Sequence, residues 1–445
     1  MARKTQRPNI LFIMTDQQRW DAMGCAGAAF LRTPNLDALA HSGMMFDHHF
    51  TVWPICTPAR ASIWTGVYPS THGVTSNVYG VPDAFSSIAK VRTTIFELMQ
   101  KGGYHTSYVG KWHLGEESPG HVDDWQGFNS FGGHWEDGLQ ASQGGRYKPD
   151  IETDAGIALI EAEADNSVPF FHVQSYYPPH DPYTAPPAEA EVYRRERIPH
   201  PGYFGHITAI DRNIGRLMEA LRASGQLENT VVLFTSDHGD TFGFRFGGTH
   251  KVVCFDDAIR VPLIISVPGQ ATAGRTNHDF TGIQDLVPTI LEIAGVAAPD
   301  YLQGKSLMPF VAGETPAWRT SYYVQNRHHP HLIRTTRTLH KAWHQRALRT
   351  AEWKLILSRD GPIQLYNLTD DPDELLNIFP VPRDDEQGQF GHYASTDAVV
   401  VALARELREH AAAIDDEIGL ELADRTIADP HYADNWVELG TPVAP

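Results

Sequence analysis

The 445-residue chain is poor in cysteine, with only Cys25, Cys56 and Cys254. They lie too far apart to form a disulfide framework or a structural zinc set, so each needs its own explanation. No apolar stretch approaches the roughly 18 residues of a spanning helix, and no membrane association is expected. Positive charge is also scarce: 36 Lys and Arg face 54 Asp and Glu, for a formal charge of -18. Nucleic acid is not an expected partner, because nothing would offset repulsion from the phosphates. An acidic chain can still enclose a basic pocket for a small anion. The basic start, Met1 to Arg7, opens like a signal peptide, but the apolar run Ile10–Met14 is too short and ends in Thr15-Asp16. A cytoplasmic location is the expectation. The sequence contains no internal repeat and no low-complexity linker.

What is present is an ordinary globular composition, 42 % hydrophobic and 20 % charged, enough to bury a large core. Short apolar runs at Ile10–Thr15, Thr106–Val109, Phe170–Tyr176, Val231–Thr235 and Leu263–Val267 read as strands covered on both faces. Helical patterns lie between them. Thr33-Pro34 supplies an N-cap and a first-position proline, and Gly43 a stop. Ile207, Ile210, Ile214, Leu217, Met218 and Leu221 share one helical face, and Asp285–Ala294 ends at Gly295. This alternation predicts an α/β fold, a large mixed central sheet flanked by helices. Beyond about Pro316 the character changes. Ser321–Val324, Trp353–Leu357 and Gln364–Leu368 read as strands, Asp370-Asp371-Pro372 as a turn, and Val399–Ala413 as a helix. A large domain over residues 1–320 and a smaller C-terminal α+β subdomain over 321–445, with an antiparallel sheet and a helix, are expected.

In open α/β sheets ligands bind beyond the carboxyl ends of the strands. Here those ends run into Asp16-Gln17, Lys111-Trp112-His113, Pro178-Pro179-His180 and Asp237-His238-Gly239. One polar residue at a strand end is usually a cap; four such ends on one rim describe a site. Asp16, Gln17, Asp237 and His238 offer mostly oxygen, which suits Ca²⁺ or Mg²⁺. In the segment Cys56–Gly66, Thr57 reads as an N-cap, Pro58 as the first helical residue and Gly66 as the stop. Cys56 then sits just ahead of a helix N-terminus, which favours an anion, with Arg60 one turn on and able to reach back toward it. A dense basic run from Arg327 to Arg346 includes His328 and Trp343 and suggests a subsite for an anionic sugar. His134-Trp135 could do similar work, with core packing the better reading for Trp135.

The segment Cys56-Thr57-Pro58-Ala59-Arg60, with Thr65-Gly66 closing its helix, resembles the Cys-x-Pro-x-Arg…Thr-Gly signature of type I, formylglycine-dependent sulfatases of the alkaline-phosphatase-like superfamily. Pro8–Asp16, Gly110–Gly115, Ser236–Gly239, Arg346–Ile356 and Leu365–Pro372 extend the resemblance in order over nearly the whole chain. It implies a catalytic domain over 1–320 and a Cys56 oxidised to formylglycine by a maturation enzyme. It also implies a divalent metal, Ca²⁺ with Mg²⁺ or Mn²⁺ as alternatives, held by Asp16, Gln17, Asp237, His238 and residue 56. One oxygen of the hydrated aldehyde would attack the sulfur of a sulfate ester. Arg60 would hold the diol, and Lys111 and Lys251 the sulfate oxygens. His180, helped by Lys251, would protonate the departing alcohol, and His113 would take the proton whose loss expels sulfate. Gln17 stands where many relatives have a second carboxylate, and His238 where many have Asn. Gly247–Lys251 follows the family's lysine context only loosely, which leaves His250 as the rival of Lys251 and a substrate-binding candidate. The expected substrate is a small-molecule or oligosaccharide sulfate ester, a sulfated carbohydrate before an aryl sulfate. A phosphonate monoester hydrolase or phosphodiesterase is the nearest alternative; such relatives often replace the Lys-x-His pair, which is intact here as Lys111 and His113. A non-catalytic sulfate-binding protein on the same scaffold would lack catalytic residues, and none is missing.

Overall fold

Ile10 to Met14 is an unbroken apolar run, and such a run is stable as a strand only where helices cover both faces of its sheet. In a computed structural model, which describes residues 7–78, 93–129, 133–136, 145–245, 250–327, 344–359, 361–379 and 396–432, it forms β1 (Asn9–Asp16), buried along its whole length. The remaining strands are β2 (Met44–Phe46), β3 (His49–Phe50), β4 (His105–Lys111), β5 (Asp124–Phe128), β6 (Phe170–Pro179), β7 (Thr230–Ser236), β8 (Leu263–Ser266), β9 (Arg275–Asn277), β10 (Thr281–Gly282), β11 (Ser321–Arg327), β12 (His344–Thr350), β13 (Trp353–Ser358) and β14 (Gln364–Asn367). An eight-stranded sheet runs β5-β4-β6-β1-β7-β8-β2-β9. From β5 to β7 all pairs are parallel; β8 is antiparallel to both neighbours, which makes the sheet mixed.

The period-2 alternation of β1 divides its side chains between two cores. Ile10, Phe12 and Met14 join the larger one, with Trp64, Phe96 and Tyr108. Leu11 and Ile13 join the other, against Ile210, Ile214 and Leu217 of the Pro201–Ala223 helix. Each such buried side chain contributes about 1.5–3 kcal/mol. The helix Pro34–Ser42 forms as expected, but Thr33 does not cap it. Its hydroxyl accepts from the Gly24 N–H, and the Asp211 carboxylate takes the N–H groups of Asn35 and Leu36 instead. A cap can thus come from a distant element, which local spacing does not reveal.

The antiparallel sheet β11-β12-β13-β14 lies under the helices Thr396–Ala413 and Glu417–Ala428, the second of which the apolar pattern missed. Arg346, part of the basic run, is no surface group: it is buried against Asp416 with Nη2 2.9 Å from Oδ1. Lys354 of β13 is buried between Asp256 and Glu374, tying the small sheet to the short helix Asp256–Ile259. Residues 328–343, including His328 and Trp343, lie outside the described residues. Among the described residues no helix is long and apolar enough to cross a membrane.

Candidate functional site

Because β4, β6, β1 and β7 are adjacent and parallel, their carboxyl ends share one edge of the sheet. Over that edge lies the helix Cys56–Thr65, every residue of which is buried. It begins at Cys56 itself, with Ile55 in the cap position, so Thr57 is not its N-cap. The Thr57 hydroxyl is used otherwise: it donates to the His113 carbonyl at 2.9 Å and accepts from the Val78 N–H. The Thr57 N–H donates to Asn77 Oδ1 at 3.0 Å, a contact no sequence pattern announced. Pro58 sits in the first turn, where a missing N–H costs nothing, and Gly66 ends the helix at φ 70°.

Arg60 is 0 % exposed and does not reach back to residue 56. Its Nε donates to Asp237 Oδ2 at 2.8 Å, Nη2 to Asp16 Oδ2 at 3.0 Å, and Nη1 to Ser175 Oγ at 3.0 Å and to the Lys111 carbonyl. The physical reason is that two buried carboxylates beneath the helix need a cation, and a planar fork can serve both. Lys111 adds a second cation, with Nζ 2.6 Å from Asp16 Oδ2 and 4.4 Å from the centre of the Tyr177 ring. Burial and the nearby Cys56 push the Asp16 carboxyl up, but Lys111, His180 and Arg60 outweigh them and hold it well below the carboxylate range. Burial and the Asp16 charge push Asp237 up to about 6.

Cys56 Sγ lies 3.2 Å from His238 Nε2, 3.5 Å from Lys251 Nζ and 3.7 Å from Asp16 Oδ1. Burial favours the neutral thiol, yet Lys111, Lys251 and His238 bring it well below its ordinary value, so the position favours an anion. Lys251 Nζ also lies 2.7 Å from Gln17 Oε1 and 2.7 Å from His180 Nε2. Burial works against its charge, but Cys56 and Asp16 raise its pKa. His113, with a left-handed backbone at φ 58°, bonds to Cys56 through its side chain; burial and Lys111 lower it to about 4. Lys251 therefore joins the cluster directly, whereas its rival His250 does not. The His250 ring turns to Asp240, with Nδ1 3.0 Å from Oδ1, and toward the Tyr183 hydroxyl.

Asp240 is the main residue that sequence reasoning missed. It is fully buried, and its Oδ2 accepts from Gln17 Nε2 at 2.7 Å and from the Tyr183 hydroxyl at 2.5 Å. The signal was a second acid three residues past Asp237 on the same strand end. His134 is also buried; its Nε2 lies 2.8 Å from the His180 carbonyl, so it supports the loop of His180 and offers no stacking face. Trp135 is core, bonded to the Thr184 carbonyl and packed on Tyr147. Arg327 ends β11 half-buried, one residue beyond Asn326, which bonds to the Val252 carbonyl beside Lys251.

Ligand atoms of Asp16, Cys56, Asp237 and His238 all lie within 4.8 Å of one another. Arg60 takes Oδ2 of both carboxylates, while Asp16 Oδ1 faces Cys56. Two carboxylates, an imidazole and the neighbouring Gln17 amide fit a hard divalent cation better than a thiophilic one.

A Sulfatase family model matches residues 8–296, and a model of the N-sulphoglucosamine sulphohydrolase C-terminal region matches residues 245–389. An ulvan-active sulfatase from Formosa agariphila is 30 % identical over 416 residues, which cover 85 % of this chain and 78 % of that protein. An N-acetylglucosamine-6-O-sulfatase from Bacteroides thetaiotaomicron is 27 % identical over 482 residues, covering 84 % and 83 %. A solved structure in complex with its substrate D-glucosamine-2-N,6-O-disulfate superposes with a TM-score of 0.76 at 24 % identity, over 92 % of this chain and 99 % of that one. A phosphonate monoester hydrolase from Silicibacter pomeroyi superposes with a TM-score of 0.73 at 23 % identity, over 92 % and 96 %, so the fold is shared beyond sulfate chemistry. With the family model spanning the central sheet and the Cys56 helix over its edge, the chain belongs to the formylglycine-dependent sulfatases of the alkaline-phosphatase-like superfamily and is a sulfuric ester hydrolase.

Proposed function

We propose that this enzyme hydrolyses the sulfate ester of a carbohydrate to the alcohol and inorganic sulfate, with residue 56 as formylglycine. The observation that carries the reading is the convergence of His238, Lys251 and Asp16 on Cys56 Sγ within 3.2–3.7 Å at the first residue of a helix. Asp16, Gln17, Asp237 and His238 would hold the cation, Ca²⁺ in preference to Mg²⁺ or Mn²⁺, which supplies Lewis acidity at the attacking hydroxyl. The hydrated aldehyde would supply one hydroxyl to attack and a second whose deprotonation lets the C–O bond to sulfate break and the aldehyde re-form, an exit that a plain thiol lacks.

The chain's own residues divide the remaining work. Arg60 fixes the two carboxylates, and Asp240 orients Gln17. Lys111 and Lys251 hold the sulfate oxygens against the charge that spreads as the ester bond breaks. His180 and Lys251, with Nε2 and Nζ 2.7 Å apart, are placed to hand a proton to the departing alcohol oxygen. His113 is neutral at physiological pH because burial lowers it to about 4, so it can accept the proton of the second hydroxyl. Arg327, leaving β11 beside the Lys251 loop, supports a sugar subsite that His250 borders and that His328 and Trp343 would complete. The relatives named above, one acting on ulvan and one on N-acetylglucosamine-6-O-sulfate, favour a carbohydrate. A catalytic domain over 1–320, a subdomain over 321–445 and a maturation enzyme that oxidises Cys56 belong to the same reading.

The test compares release of sulfate and phosphate from matched nitrophenyl esters, then from sulfated monosaccharides. Sulfate release is expected to dominate, and faster phosphodiester turnover would overturn the assignment. The mass of the peptide containing residue 56 checks the modification; an unmodified thiol in fully active protein contradicts it.

A further inference from the structure

Nine non-glycine residues among those described have a left-handed backbone, and Val252 (φ 68°) is the one β-branched residue in the set. A side chain branched at Cβ is a genuine outlier there, and such strain persists only where the surroundings over-determine it. Val252 follows Lys251 directly and is fully buried. Its N–H donates to the Pro54 carbonyl at 2.9 Å, two residues ahead of Cys56. Its carbonyl accepts from Asn326 Nδ2 at 2.8 Å. Asn326 is buried on β11, and the same amide nitrogen donates to Gln345 Oε1 at 2.9 Å on the paired strand β12. Both hydrogens of that NH₂ group are therefore committed: one holds the Val252–Val253 peptide, while the Pro54 carbonyl holds the Lys251–Val252 peptide, so Val252 is fixed from both sides.

We infer that Asn326 is a positioning residue for Lys251, acting through the strained backbone of Val252. The inference rests on the role given to Lys251 under the proposed function. If Val252 relaxed to an extended conformation, the adjoining peptide would rotate and the Lys251 side chain would leave Gln17, His180 and residue 56. Two of the other loops that reach residue 56 also pass through left-handed residues, Gln17 (φ 70°) and His113 (φ 58°), but neither is β-branched. Only Val252 needs a clamp from the second sheet.

The experiment is a double-mutant cycle on the mature enzyme, assayed with aryl sulfates whose phenols span a range of pKa. Asn326→Ala should lower kcat by about five- to a hundredfold on the poorest leaving groups, the range set by the strain released, and much less on the best. Val252→Gly removes the steric conflict, so in that background Asn326→Ala should cost less than about threefold relative to Val252→Gly alone. Thermal unfolding checks folding, and if Asn326→Ala does not fold, the near-isosteric, uncharged Asn326→Leu, which also cannot donate, takes its place. Equal losses on all leaving groups, or equal losses in both Val252 backgrounds, overturn the inference. Lys251→Ala is the reference. If its losses do not depend on the leaving group, the role of Lys251 falls and the inference falls with it. A leaving-group-dependent loss for Lys251→Ala beside a uniform one for Asn326→Ala refutes this inference alone.

Discussion

Arg60→Ala tests whether the guanidinium holds the site together. Arg60, Asp16 and Asp237 are all fully buried, and the guanidinium bonds to both carboxylates. Removing one partner of a buried pair leaves an uncompensated charge, at about 3–5 kcal/mol. A chain of 445 residues unfolds with roughly 2 cal/mol/K per residue, about 0.9 kcal/mol/K in all. The substitution should therefore lower Tm by about 3–6 °C in a calorimetric scan with chelator present. Under the proposed function, saturating Ca²⁺ would neutralise the same carboxylates and bind only the folded state, so it should narrow the gap between variant and wild type. A variant as stable as wild type in chelator, or a gap that Ca²⁺ leaves unchanged or widens, would refute the reasoning.

Cys56→Ala should fold normally yet lose sulfate release to background; retained turnover would remove residue 56 from the chemistry. Asp240→Ala frees Gln17 from its orienting contact and should weaken Ca²⁺ binding about 10- to 100-fold in a calorimetric titration, and equal affinity would show that Asp240 does not support the cation site. His72 accepts the Val74 N–H at Nδ1, and burial lowers its pKa to about 3. That is below the unfolded value of about 6.5, so the unfolded state binds the extra proton. Stability is then intact above about pH 6.5 and lost toward pH 3, by about 1.4 kcal/mol per pH unit. His72→Asn should remove one proton's worth of that slope in urea unfolding at pH 5 and 7, and identical slopes would contradict the assignment.

Every strand read from an apolar run is present, because burial on both faces leaves a mark no surface segment mimics. β5 escaped because Asp124–Phe128, at the sheet edge, is only partly buried and carries no such mark. The helix Glu417–Ala428 escaped because its apolar residues are interspersed with acids. Asp16, Lys111, His113, His180 and Asp237 were legible because parallel strands bring their ends to one rim. The partners of Arg60 were not, since a long side chain one turn into a helix can point back to residue 56 or down to the strand ends. Only the depth of the two carboxylates decides for the second. Asp240 left one local signal, an acid three residues past Asp237, whereas Asn326 acts through another element and no local spacing encodes its contacts.

Cys56 is 1 % exposed, enclosed by groups from β1, the end of β7 and the loop at Lys251. The enclosure has a consequence in time. β1 occupies the middle of the sheet, and its neighbours β6 and β7 lie far downstream in the chain. During synthesis Cys56 stays uncovered until the segment through Lys251 has emerged, on the order of 10–40 s at ribosomal speed. Any enzyme that oxidises this thiol has that interval to act, or must wait for the chain to unfold. Faster elongation through that segment would shorten the interval and lower the active fraction, even where the yield of folded protein is unchanged.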